Sequence, residues 1–103
     1  MDAFACTSVQ ALLGHLAAGT ARWSPTLKPF DPAVAVQIRA TSVNMQKQLP
    51  RVRTVAVYRA VLLSSKAFGS VATAMVQKKR AQVGRAISAT HIAFRNLKKV
   101  CGA

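Results

Sequence analysis

"VQKKRAQVGRAISATHIAFRNL", residues 76–97, decides what kind of fold this chain adopts. Val76, Val83, Ile87, Thr90, Phe94 and Leu97 recur mostly at alternating four- and three-residue steps, which lines one face of an α-helix and no face of a strand. Lys78, Arg85, Arg95 and Lys99 fall off that seam. A continuous apolar stripe of this kind packs as one arm of a helical hairpin or a short coiled coil. The helix is expected from about Ser70 to Lys99, bent at Gly84, with Gly69 and Ser70 separating it from the helix before it.

Working towards the N-terminus, that preceding helix is expected from about Arg51 to Phe68, opened by Pro50. Asp31 followed by Pro32 is a helix start, an acid at the N-cap with proline at the first helical position. Val34, Ile38, Met45 and Leu49 then recur at helical spacing and leave Gln37, Arg39, Asn44 and Lys47 for other faces, with the helix ending at Leu49. "RWSPTLKPFDP", residues 22–32, holds three prolines and reads as an extended connector whose Trp23 and Phe30 pack onto the helices or onto a partner. Asp2 is placed to cap a first helix that runs to about Leu16 or Ala18 and stops at Gly19.

No stretch alternates as a strand does, and no internal repeat is present. The chain therefore reads as all-α, three to four helices in one small domain ending in an antiparallel hairpin. Residues 1–32 form an N-terminal helix and connector, and residues 33–103 a basic helical region.

Charge is the second strong constraint. Fifteen Lys and Arg face only Asp2 and Asp31, a formal net charge of +13, and no acid occurs after residue 31. Cations without internal counterions repel one another, so the chain is expected to seek an anionic surface: RNA, acidic lipid headgroups or an acidic protein. Cys6 and Cys101 lie near opposite ends in no metal-ligand spacing. Two unrelated free thiols in a reducing compartment are expected rather than a disulfide stapling the termini. The uncharged run "AFACTSVQALLGHLAAGTA" is diluted by polar residues and falls short of a membrane span. An acid-poor, Arg-, Ala- and Ser-bearing composition points to mitochondria.

Residues 51–68 pose a specific problem, because Arg59 and Lys66 share a helical side with Val52, Val55 and Leu63. Burying two unpaired cations would cost several kcal/mol each. Either both reach water along their stems, or that face meets anions from another molecule.

"VYRAVLLSSKAF", residues 57–68, resembles the signature of the LYR-motif family of small mitochondrial helical proteins. Val57, Tyr58 and Arg59 stand for Leu-Tyr-Arg, Val61 and Leu62 for the hydrophobic pair, and Phe68 lies ten residues after Tyr58. The basic cluster Lys78, Lys79 and Arg80, with Arg85 beyond it, is similar to the family's basic second helix. The resemblance implies a non-catalytic adaptor or accessory subunit in the matrix, or on the matrix side of the inner membrane, within an assembly such as a respiratory complex. Its implied partner is acyl carrier protein, whose acyl-phosphopantetheine is the only cofactor involved and whose acyl chain enters between the helices. Tyr58 and Arg59 order the motif, Phe68 completes it, and Arg59, Lys66, Lys78, Lys79, Arg80 and Arg85 meet carboxylates and phosphate. Val57 departs from the expected Leu, Leu63 stands where a second basic residue is common, and about 55 residues precede a motif that usually opens the first helix.

His15 and His91 have no acidic companion, the hydroxyls Ser64, Ser65, Ser88 and Thr90 have no base, and no paired carboxylates exist, so no enzyme is expected. Twelve of the fifteen cations follow residue 46, which suits a ribosomal or mitoribosomal protein that binds RNA through phosphates. A structural subunit of a membrane complex such as ATP synthase, with its basic face near anionic lipid, is the third class.

Overall fold

The computed structural model describes residues 2–102 and consists of four α-helices: α1 Ala3–Gly19, α2 Pro32–Gln46, α3 Val55–Val76 and α4 Arg80–Cys101. The all-α expectation holds. A short 3₁₀ turn over Leu49–Arg51 lies between α2 and α3. The direction of each helix follows from its core partners. Leu16 meets Val34 and Ile38, which meet Val71 and Met75, and Val83 joins them; at the other end Val9 and Leu13 meet Met45, Val57, Val61 and Leu97. Each helix is therefore antiparallel to the one before it, and the bundle measures 41 × 21 × 21 Å. Phe68 packs against both clusters and joins them into one core.

α3 does not stop at Gly69. Val57, Val61, Ser64, Phe68, Val71 and Met75 keep one helical stripe across that residue, and burying its second half outweighs the roughly 1 kcal/mol that a helical glycine costs. Gly69 also has a packing reason: a Cβ there would lie 3.3 Å from Ser42 Oγ. Ser42 in turn donates to the Ser65 carbonyl at 2.6 Å, tying α2 to α3. The chain reverses at Gln77–Lys79 instead. Lys79 N–H donates to the Ala74 carbonyl and Lys78 N–H to that of Met75, with Lys78 at φ 56°, a Schellman ending without its usual glycine. The expected hairpin is present, but its turn runs through the basic cluster. Val76 belongs to α3 and is 70% exposed, so the α4 seam consists of Val83, Ile87, Thr90, Phe94 and Leu97. Gly84 lies inside a continuous α4.

Asp31 caps α2 as expected, accepting from the amides of Ala33 and Val34. The helix ends at Gln46, and Leu49 enters the 3₁₀ turn. The 20–31 connector is folded by turns rather than extended: Trp23 Nε1 donates to the Lys28 carbonyl at 2.7 Å, and Trp23 and Phe30 pack against the core. Val55–Val76 is long and apolar enough by length and composition to cross a membrane, with mean hydropathy 1.2, yet Val57, Val61, Val71 and Met75 are spent on the core.

The two cysteines are not free. Cys6 on α1 and Cys101 on α4 form a disulfide, with Cα atoms 5.8 Å apart. Sequence separation hid the pair, since the two are 95 positions apart and only the up-and-down winding returns the end of α4 to the start of α1. A cross-link closing a loop of this size is worth roughly 4–5 kcal/mol on a chain-entropy model.

Asp2 makes no side-chain cap on its own helix. Its carboxylate accepts from the Arg53 amide at 2.8 Å, the Thr54 amide at 2.9 Å and the Thr54 hydroxyl, at the entry to α3. The Thr54 hydroxyl first, and then the Arg53 amide, hold the Asp2 carboxyl below its ordinary value of 3.8. A lowered carboxyl pKa contributes stability above the unfolded value that is lost as pH falls through the folded one. An acid titration followed by circular dichroism should therefore show wild type losing stability below about pH 4, and Asp2→Asn should remove that part of the dependence.

Candidate functional site: an apolar trough with a cationic rim

α1 and α4 are bridged at the disulfide and share a core cluster through Val9, Leu13 and Leu97, and towards the other end of α1 a trough of about 690 Å³ lies between them. α1 supplies Leu13, Leu16 and Ala17 to one wall, and α4 supplies Ile87, Phe94 and Thr90 to the other. Ile38 from α2 and Phe68 and Val71 from α3 form the floor, and Trp23 from the folded connector closes one end. The volume falls within the roughly 300–1,000 Å³ of small-molecule sites, and the lining is apolar and aromatic as such sites require.

Its charged rim comes from α4 alone. Arg95 and Lys98 line the trough, with the His91 imidazole one turn away. Lys98 Nζ lies 5.1 Å from the centre of the Phe94 ring, which holds the ammonium above the apolar wall. Neither side-chain carboxylate competes for these cations, because Asp2 is taken up by Arg53 and Thr54 and Asp31 by the start of α2. An anionic head at this rim therefore meets unneutralised donors while its apolar body lies against the floor.

The structure spreads the sequence-derived residues apart. Phe68 lies on the trough floor with its ring partly buried. Tyr58, Arg59 and Lys66 are exposed on α3, and Arg59 and Lys66 lie on the side turned away from Phe68. Both cations are therefore open to solvent or to another molecule. Lys78, Lys79 and Arg80 surround the α3–α4 turn, about 30 Å along α3 from Tyr58 at 1.5 Å per residue. Arg80 is in helical register with Gly84, Ile87, His91 and Lys98, on the α4 edge that faces the trough, whereas Arg85 points elsewhere. Lys66 instead borders a separate shallow cleft of about 490 Å³ with Arg39, whose Nη2 donates to Thr73 Oγ1 at 2.8 Å.

The sequence reading places Arg95 only off the seam and assigns neither Arg95 nor Lys98 to a site, yet both line the trough. Their signal was there: seven-residue spacing from His91 to Lys98 beside the Ile87–Phe94 stripe marks a basic edge along the seam. Its opposite wall was not legible, because nothing in α1 says that it stands apart from α4. Among the described residues no group of His, Cys, Asp and Glu is placed to hold a metal. Comparison with protein-family models finds no match, and comparisons with curated proteins and with solved structures find none either.

Proposed function

We propose that this chain is a non-catalytic helical adaptor for an anionic, acylated partner, with the acyl chain lying in the α1–α4 trough. The observation that carries this reading is an apolar trough of about 690 Å³ whose charged rim is cationic, in a chain whose two carboxylates are already engaged. Each methylene buried there contributes about 0.8 kcal/mol. Arg95 and Lys98 add charge-assisted hydrogen bonds of roughly 1.5–3 kcal/mol each to carboxylate or phosphate. The partner's acidic surface then lies along the α4 edge from Arg80 to Lys98.

The LYR resemblance names the partner: acyl carrier protein, with its acyl-phosphopantetheine arm, inside a larger mitochondrial assembly. In that reading Phe68 contacts the chain itself, while Tyr58, Arg59 and Lys66 are left on a different side of the bundle for another subunit or the anionic membrane. The reducing matrix makes the Cys6–Cys101 bridge a reversible element there rather than a permanent staple.

Titration with acyl carrier protein tests the proposal. A long-chain acylated carrier is expected to bind at least a hundredfold tighter than the carrier with a bare phosphopantetheine arm, since the arm alone leaves the trough empty. Equal affinity for both carriers rejects the trough as the acyl site. Capture of nuclease-sensitive RNA in place of the carrier favours the ribosomal reading.

A further inference from the structure

We propose that the Cys6–Cys101 disulfide is a latch on α1, and that its reduction releases α1 from the bundle and opens the trough while α2, α3 and α4 stay folded. What the trough holds rests on the adaptor reading above; the release of α1 does not. Three observations carry the inference. α1 packs chiefly on α2 and only sparsely on α3 and α4, whereas α3 packs extensively on both its neighbours. The bridge fixes α1 to α4 at one end, and the trough begins where that attachment ends. The remaining hold on the start of α1 is small: the buried side chains of Ala5 and Val9, the Asp2 clasp on Arg53 and Thr54, and Arg51 5.5 Å from the ring centre of a Phe4 that is otherwise exposed.

Cys101 is only partly buried, so a reductant reaches the bridge from the α4 side. A dithiol attacks as its thiolate, the S–S bond breaks to a mixed disulfide, and the second thiol displaces the protein sulfur. Cys6 and Cys101 each end with one added electron and one proton, and the reductant leaves as a disulfide. α1 then depends on the small buried set Ala5, Val9, Leu13 and Leu16 and on the Asp2 clasp to stay on the bundle, tethered through the 20–31 connector. Segments held by few buried contacts open first.

Hydrogen exchange on the full chain, before and after treatment with dithiothreitol, reads the latch without any ligand. Amides from Val9 to Leu16 are expected to exchange at least a hundredfold faster after reduction, with α3 and α4 changed less than threefold. Unchanged α1 protection overturns the latch, and so does a loss of protection shared by every helix, which makes the bridge a global cross-link only. 1-Anilinonaphthalene-8-sulfonate serves as a trough probe in the same samples, expected to dissociate at least tenfold faster from the reduced protein; equal rates in both states also count against the latch. Failure of the acyl-carrier titration with the exchange result intact rejects the adaptor reading and leaves the latch standing.

Discussion

Leu97→Ala is expected to lower the melting temperature by roughly 15–30 °C, the equivalent of about 3–5 kcal/mol in a domain of this size. Leu97 is 1% exposed and lies where α4 meets Val9, Leu13, Val57 and Val61, so its truncation leaves a void bordered by three helices. The loss is large against the 5–15 kcal/mol that holds a typical domain together. It is larger still here, because Ala and Val supply most of the core and few bulky neighbours can collapse into the gap. Ile92→Ala on the same helix is the control: Ile92 is 57% exposed, and its truncation should stay within about 0.5 kcal/mol. Thermal melts of both variants check the packing. A similar loss in each would mean that the α4 seam is not the face that meets the core.

Charge reversal gives the largest expected change in binding. Arg95→Glu with Lys98→Glu should weaken the acylated carrier at least a hundredfold, because two charge-assisted hydrogen bonds are replaced by two repulsive carboxylates at the rim. Arg59→Glu with Lys66→Glu removes the same net charge from the opposite side of α3 and should cost less than fivefold at moderate salt, where screening acts over about 10 Å. The motif resemblance assigns the decisive effect to Arg59 and Lys66, whereas the proposed trough site assigns it to Arg95 and Lys98. Isothermal titration of the two double variants at one ionic strength separates the cases. Equal weakening by both pairs is the signature of a diffuse polycation, as for RNA held by its backbone, and would remove the reason for placing the partner at the trough.

The LYR-like stretch illustrates how one set of residues carries two kinds of information. Phe68 completes the motif-like spacing, and in the bundle it is also the ring shared by both halves of the core. Tyr58 and Arg59 read as part of the same unit, yet a helix turns about 100° per residue, and sequence neighbours within a motif need not share a surface. The cations that border the trough, Arg95 and Lys98, come far later in the chain, on the helix that returns alongside.

By itself the sequence determined the helical class, the capped start of α2 at Asp31, the Pro-interrupted connector and the seam from Val83 to Leu97, because periodicity, caps and prolines act over a few residues. It also determined that the cations outnumber what two carboxylates can offset. Tertiary structure alone decided that α3 continues through Gly69, that Asp2 caps the entry to α3 rather than its own helix, that Cys6 finds Cys101, and that a trough separates α1 from α4. Each of these depends on which residues the bundle brings together from far along the chain. A glycine's helix cost is local, but the burial of Val71 and Met75 that overrides it exists only once α2 and α4 are in place.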